Sequence, residues 1–378
     1  MKVLYIANNL PLPKLKSNRI VVTIAEKLSQ FCDISLVFPA AMVLPPLSFA
    51  KKYKPLANIK PWTDGNFTIK PVKYLRLPTK KLSYLLIDTV CIEHFVNKNA
   101  LPDLCHAHYI MPDGYFALKI KKKYGVPYAV SVRMSDIKHL KALGNKGAVY
   151  SKFVKVLENA DKIIVHNRPQ QEFIAQYGFD SVVISHGIEG SALNISEQKA
   201  DSPLVITVVS ALIRRKNIDW VIRAVNEYSG KQPIKLMIAG DGVCREELQK
   251  LANNASNIHF LGQINNEEVM SLLEKSHIFA LPSVDETFGL VYLEAAAKRN
   301  AVICHKNEGV DGLFDNEKEM MFCNGYNEFN TILNRLIENP EYVNSLASAA
   351  FEKVKNYTWE NTKNKYLVIY RSFASLAK

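Results

Sequence analysis

The sequence predicts an α/β protein of two successive doubly wound domains. Three observations carry this: a length of 378 residues that suits two cores better than one, short apolar strands alternating with amphipathic helices, and a polar interruption after which the alternation restarts.

In the first half, residues 2–8 (KVLYIAN) read as a strand, 19–31 (RIVVTIAEKLSQF) as a helix and 33–39 (DISLVFP) as a strand. Residues 103–109 (DLCHAHY), 127–133 (PYAVSVR) and 161–167 (DKIIVHN) read as further strands, with a helix at 114–125 (GYFALKIKKKYG). Helices between such strands imply parallel pairing through crossovers. Residues from about 190 to 203 (GSALNISEQKADSP) are polar and lack apolar periodicity, as a linker would. Strands recur at 204–212, 234–242, 257–263, 277–283 and 301–306, separated by helices at 217–228, 244–254, 266–276 and 289–298. The expected domains are residues 1–195 and 204–360, with 361–378 packing back on the first. Ligands gather beyond the carboxyl ends of such strands, so two sheets facing each other would share a central cleft.

The formal charge of +12 is unevenly held. Residues 1–200 contain 28 Lys and Arg against 14 Asp and Glu, whereas residues 201–378 contain 20 against 22. Residues 51–81 carry nine basic residues and one aspartate, with Tyr53, Trp62, Phe67 and Tyr74 interleaved. Such a segment is drawn to nucleic acid, an anionic membrane surface or an anionic substrate. Against nucleic acid, the second half is slightly acidic and nothing reads as a groove-reading helix or a stacking sheet. The six cysteines, at 32, 91, 105, 244, 304 and 323, are too scattered for a zinc clip or redox pair and are expected to be reduced, small core residues. The start MKVLYIANN reads as a strand entering a Pro-rich loop rather than as a leader. The longest apolar stretch, SLVFPAAMVLPPLSFA, is broken by prolines, so a cytoplasmic protein with no membrane span is expected.

Residues 283–300, SVDETFGLVYLEAAAKRN, set Glu286 and Glu294 on either side of Gly289. The preceding strand delivers Glu286 to a sheet edge, and a helix is expected to begin near Phe288, Gly289 and Leu290. Unpaired amides and the positive end of the dipole at a helix start suit a phosphate, and Gly289 permits close approach. Carboxylates beside a diphosphate repel it, so they are expected to hold hydroxyl-rich groups, a sugar and a ribose. Spacing alone leaves another reading open: a capping box from Ser283 to Glu286, with Glu294 merely solvated. Asp103, Cys105, His106 and His108 have side chains that bind metals, but alternating strand residues are expected to face opposite sides and not to converge.

ETFGLVYLEAAA (286–297) resembles the E-x7-E motif of the retaining family-4 glycosyltransferases, whose GT-B fold pairs two Rossmann-like domains. The similarity extends through IAGDG, FLGQ and HIFALPS, and through SALIRRKNID, SHGIE and the closing YTWENTKNKYLVIY, covering nearly the whole second half. The first half is similar more loosely, through HAH, PDG, YGVPYAV and SVRMSDI.

The resemblance implies that Glu286 binds hydroxyls of the donor sugar and Glu294 the nucleotide ribose. Lys216 would neutralise the donor diphosphate, beside the amides of Thr287, Phe288, Gly289 and Leu290. Ser210 would bind the donor, Gly240 would lie near its phosphates, and Gly262 and Ile264 would border the base. The family's second cation falls at Ala211, and Arg214 or Arg215 could supply that charge from a different direction, Arg215 being the one placed in the site. In the first domain Arg133 is expected near the donor sugar or its phosphates, with Asp136 and His108 on the acceptor or sugar side; Glu308, Gly309 and Val310 could also reach the donor. The catalytic set expected is thus Glu286, Lys216 and Arg133. The co-substrate would be a UDP- or GDP-linked sugar, with no Asp-x-Asp clamp and no metal required. The acceptor would be a saccharide, for which a polyprenyl diphosphate carrier is expected, with residues 51–81 on an anionic inner membrane face and no nucleic-acid partner. Two departures stand out: Ser17 and Asn18 replace a glycine pair, and Arg299 replaces the glycine that ends the motif helix, where Asn300 would better tolerate a left-handed turn. A nucleotide-sugar epimerase or hydrolase on this scaffold, or an inactive relative, is the competing reading.

Overall fold

Two mainly parallel sheets account for the two runs of strands. The computed structural model describes residues 1–13, 19–43, 56, 59–77, 79–196, 199–200 and 202–374. The first sheet contains β1 (Lys2–Ile6), β2 (Asp33–Val43), β3 (Trp62–Asp64), β4 (Phe67–Arg76), β5 (Leu104–Ala107), β6 (Tyr128–Ser131), β7 (Lys162–Val165) and β8 (Val182–Val183). Its order is β3-β4-β2-β1-β5-β6-β7-β8. The second contains β9 (Leu204–Val209), β10 (Ile234–Ala239), β11 (Ile258–Gly262), β12 (Ile278–Leu281), β13 (Ala301–His305) and β14 (Met321–Cys323), in the order β11-β10-β9-β12-β13-β14. Pairing is parallel save between β3 and β4. The inner strands β5, β6 and β12 are buried at every position, as sheets covered on both faces require.

The chain folds as two units, residues 1–166, 170–184 and 363–378, and residues 167–169 and 185–362. Residues 185–195 therefore lie with the second unit, against the expected boundary at 195. The cause is backbone pairing: Ile188 donates to the Tyr357 carbonyl at 3.0 Å and accepts from the Trp359 amide at 2.9 Å. No apolar period announces such a contact. Of the closing helix Trp359–Ala374, residues from 363 belong to the first unit. There the Tyr370 hydroxyl lies 2.7 Å from that of Tyr5 and 2.6 Å from His106 Nδ1, while His106 Nε2 is 2.9 Å from Ser131 Oγ.

Residues 51–81 correct the sequence reading. Positions 51–55, 57–58 and 78, with Tyr53 among them, lie outside the described residues. Residues 62–76 form the β3–β4 hairpin, in which Phe67 and Tyr74 are buried and Trp62 donates to the Pro11 carbonyl at 2.9 Å. Two of the interleaved aromatics are thus core residues. The Gly65-Asn66 turn, between the paired Asp64 and Phe67, is the overlooked signal of a hairpin. All six cysteines are free, but Cys91 is exposed rather than in the core.

The helix Leu290–Ala297 also ends differently from expectation. Arg299, not Asn300, takes the left-handed conformation, with φ +53°. Its amide donates to Ala296 and that of Asn300 to Ala295, both at 3.0 Å, closing a Schellman motif. The strain, about 1 kcal/mol, is offset by the Arg299 guanidinium lying 4.6 Å from the Phe351 ring centroid. Asn300 Nδ2 serves the carbonyls of Leu273 and Ala295 at 2.9 Å and Lys298 at 3.2 Å.

Asn300→Ala should cost about 2 kcal/mol by stranding buried carbonyls. Arg299→Gly should be near neutral, because relief of strain and loss of the ring contact cancel. Urea unfolding of both variants measures the difference, and a larger loss at Arg299 would reverse the assignment.

Candidate active site

In the second sheet the chain winds from β9 out to β11, returns beside β9 as β12, and proceeds to β14. That reversal opens a crevice beyond the carboxyl ends of β9 and β12. The loop after β9 carries Lys216, in the short turn Arg214–Lys216. The loop after β12 carries Glu286. Backbone bonds join the loops: the Val284 amide donates to the Arg215 carbonyl at 2.8 Å, and Asn217, left-handed at φ +50°, extends Nδ2 to the Pro282 carbonyl at 2.8 Å.

Lys216 Nζ and a Glu286 carboxylate oxygen form an ion pair, with side chains only 11% and 13% exposed. The Ser283 hydroxyl donates to the same carboxylate at 3.2 Å. Tyr292 stands 3.0 Å from Ser283 Oγ and donates to the Leu281 carbonyl at 2.8 Å. From the loop after β13, Glu308 accepts the Glu286 amide at 2.8 Å, and burial raises its carboxyl above the ordinary range. Glu308 therefore steadies the loop that bears Glu286.

The capping box does not form. Gly289 is the helix N-cap with φ +75°, no side chain caps the helix, and Ser283 spends its hydroxyl on Glu286. A Cβ on Gly289 would come within 2.4 Å of the Tyr292 ring, so glycine is required by space as well as by φ. The first-turn amides, near Phe288 and Leu290, are left to other partners. Glu294, one turn into the helix, is half-buried rather than merely solvated, and desolvation alone raises its carboxyl.

Three other expected residues meet at the ends of β9, β10 and β11. The Gly240 amide donates to the Gly262 carbonyl at 2.7 Å, and a Cβ on Gly240 would fall 1.8 Å from the Ser210 carbonyl oxygen. Ile264 instead packs against the core. Arg215 Nη1 donates to the Asp285 carbonyl at 3.2 Å, beside Glu286, whereas Arg214 is exposed and lies 3.8 Å from Glu247. Two residues were not anticipated. Asn167 Nδ2 donates to the carbonyls of Gly309 at 2.7 Å and Thr287 at 3.3 Å, tying both loops to a three-residue excursion of the chain. The His186 ring meets Phe288 edge-on at 5.1 Å. Nothing in the spacing of Asn167 signals its role; His186 lies within the quoted SHGIE segment.

The first sheet reverses between β1 and β5, and there Asn8 bonds the buried Asp113 carboxylate through its amide at 3.1 Å and Nδ2 at 3.0 Å. Arg133 is buried, its Nε donating to the His108 carbonyl at 3.4 Å and its amide to Asp136 at 3.0 Å. Burial pushes the Asp136 carboxyl up to about 7, although backbone donors at Arg133, Ile110 and Met111 pull the other way. Burial, then the Arg133 charge, brings His106 down to about 3. His106 and His108 do converge, contrary to expectation: their ring centroids lie 4.2 Å apart. Residues two apart on a strand share a face, so the expectation misapplied the alternation. His108 is fully buried against His106 and Tyr5, within the wall rather than on the surface of the crevice. Among the described residues no three His, Cys, Asp or Glu form a metal-binding group.

Lys216→Ala should destabilise the protein by about 3 kcal/mol, because Glu286 keeps a largely buried charge without its counterion; Lys216→Arg should recover part of this in urea unfolding. Asp136 gives a second expectation. An unfolded aspartate loses its proton near pH 4, whereas the folded one holds it to about pH 7. Stability from this group is thus full below pH 4 and lost as pH rises towards 7. Asp136→Asn should flatten the fall in Tm over that interval, and an unchanged slope would contradict the shift.

Comparison with known proteins accords with this geometry. Residues 18–191 match the family model described as Glycosyltransferase Family 4, and residues 192–353 match that of Glycosyl transferases group 1. The putative teichuronic acid biosynthesis glycosyltransferase TuaC of Bacillus subtilis is 27% identical over 246 residues, 62% of this chain and 61% of that protein. Sucrose-phosphate synthase from Thermosynechococcus elongatus superposes with a TM-score of 0.74 at 17% identity, covering 100% of both chains. Anabaena HepE in complex with UDP gives 0.69 at 15% identity, over 98% of this chain and 100% of that one. Two glycosyltransferase models thus match the chain, one in each half, and these solved structures share its fold.

Proposed function

We propose that the protein is a retaining glycosyltransferase that moves a sugar from a nucleotide donor, UDP- or GDP-linked, to a saccharide acceptor without a metal ion. The observation that carries this is the Lys216–Glu286 pair at the crevice between β9 and β12, beside a helix start that no side chain caps. As the bond from the sugar to the donor phosphate breaks, negative charge grows on the departing diphosphate. Lys216 and the amides near Phe288, Gly289 and Leu290 are suited to stabilise it, supplying the positive charge a metal would otherwise provide. Glu286 then orients sugar hydroxyls and Glu294 the ribose. The acceptor oxygen forms the new bond on the same face, its proton leaves with the diphosphate, and no enzymic nucleophile is required.

Binding of UDP by the structurally similar HepE supports a UDP-linked donor. The biosynthetic assignment of the Bacillus relative favours transfer over hydrolysis or epimerisation. The basic first half supports an acceptor linked to a polyprenyl diphosphate at the cytoplasmic face of a membrane. No helix among the described residues is long and apolar enough to cross a membrane, so association would be peripheral.

A thermal-shift screen of nucleoside diphosphates and nucleotide sugars should raise Tm for one base, since a ligand bound only by the folded state stabilises it. Glu286→Gln should then reduce turnover about 100-fold or more while leaving the shift by the nucleoside diphosphate unchanged. Equal loss of turnover and nucleotide binding would remove Glu286 from the sugar.

A further inference from the structure

The loop between β13 and β14 brings to the second unit's crevice a carboxylate that the proposed reaction does not use. Glu308 is half-buried, and its carboxylate accepts two successive amides, those of Asp285 and Glu286, the latter at 2.8 Å. Asp285 is left-handed, with φ +60°. That conformation lets neighbouring amides aim at one anion. The Gly309 amide donates in turn to the Glu286 carbonyl at 3.3 Å, so residues 308 and 309 grip Glu286 by both of its backbone groups. A Cβ on Gly309 would come within 3.0 Å of the Phe288 carbonyl and 3.2 Å of the Tyr292 ring. Glu308 is therefore fixed beside Glu286 and beside the helix start.

The charges gathered here are mostly negative. Burial raises the Glu308 carboxyl, the two amides favour its charged form, and Asp285 and His305 act on it with opposite signs. Lys216 is already paired with Glu286. Arg215 is held at the exposed edge by the Asp285 carbonyl, at 3.2 Å, and the stem of Arg168 packs further along the loop, against Gly312. Once Lys216 and Arg215 turn to a donor's diphosphate, the carboxylates of Asp285, Glu286 and Glu308 remain at the sugar end, opposed by His305. A carboxylate that accepts an amide keeps lone pairs for a hydroxyl or an ammonium. To another carboxylate it offers only repulsion.

We propose that Glu308 sets the charge specificity of the donor: the crevice takes a nucleotide whose sugar is neutral or carries an amino group, and turns away one whose sugar carries a carboxylate. This rests on the glycosyl-transfer reading, in which Glu286 meets the sugar. Two like charges about 6 Å apart in a partly hydrated site change an affinity by roughly tenfold. The backbone bonds of Glu308 require an acceptor and not a charge, and a glutamine oxygen supplies one. Specificity and support can therefore be separated at this residue.

The test compares donors that differ only in the charge of the sugar, UDP-glucose against UDP-glucuronate and GDP-mannose against GDP-mannuronate, titrated calorimetrically into the full chain and into Glu308→Gln at pH 8. For the base that binds, the parent should hold the neutral donor at least about tenfold more tightly than its acidic counterpart, and added salt should narrow the gap. Glu308→Gln should narrow it about fivefold or more, by improving the acidic donor. Equal affinity of the parent for both members of the pair, or a preference for the acidic one, overturns the proposal. So does a gap that is the same in parent and variant, which would assign the discrimination to another group. If neither UDP nor GDP nor any of the four donors binds the parent, the transferase reading fails and the proposal with it. Nucleoside diphosphate binding without charge discrimination defeats the proposal alone.

Discussion

A positive and a negative side chain, held together almost out of water, organise the second unit. Lys216 and Glu286 arrive on loops from β9 and β12, the two strands between which the sheet reverses, and their charges would be costly to bury apart. Everything around them limits their freedom. Asn217 and Val284 join the two loops, Ser283 and Tyr292 support the carboxylate from below, and Glu308 and Asn167 hold the backbone from the far side. A site built in this way is positioned before any ligand arrives, which is what stabilising a transient charge requires. Under the proposed function, a donor entering the crevice would have to replace the contact between these charges with contacts to its own phosphate and hydroxyls.

The first unit applies the same topology with different chemistry. Its reversal lies between β1 and β5, and it is bridged by the neutral Asn8 against Asp113 rather than by opposite charges. Behind the bridge, burial holds the carboxyls of Asp113 and Asp136 protonated more readily than usual and keeps His106 neutral. Arg133 is the fixed charge of this region, and its field is one reason His106 resists protonation. His106 in turn lies between Ser131 and Tyr370, so the closing helix of the chain helps to fix the wall beside Arg133. The second unit's crevice thus carries a charged pair, whereas the first unit's is lined by polar and aromatic groups.

Much of this was legible in the sequence, for identifiable reasons. Uninterrupted apolar runs and helices between them announce parallel sheets, so the strands that build both crevices could be read along with the loops bearing Lys216 and Glu286. Contacts between loops could not be read. Asn167 and Glu308 act through backbone groups distant in sequence, and no period or spacing encodes such a bond. The β3–β4 hairpin was concealed by its charge and by a break in its pattern: the buried positions are Phe67 and Ile69 before Pro71 but Val72 and Tyr74 after it, so no single alternation runs through β4. The histidine pair was misjudged by a rule applied at the wrong step, since side chains two residues apart on a strand lie on one face.

The departure at Lys298, Arg299 and Asn300 shows how a site can survive a change in its supports. In the helix Leu290–Ala297, the first turn is the end beside Glu286, and its position depends on where the last turn is fastened. A glycine there would have closed the helix without strain. This chain closes it with Arg299 in the left-handed region, and fastens it on three sides: Lys298 pairs with the buried Glu274 at 3.2 Å and reaches the Asn194 carbonyl, Asn300 takes the carbonyls of Leu273 and Ala295, and Arg299 lies on Phe351. These contacts reach the neighbouring helices Asn266–Glu274 and Pro340–Val354, so the last turn cannot slide along the sheet. The Cβ of Arg299 and the lost glycine therefore bear on stability at one end of the helix, while Gly289, which only space and φ at the other end demand, is retained where Glu286 meets Lys216.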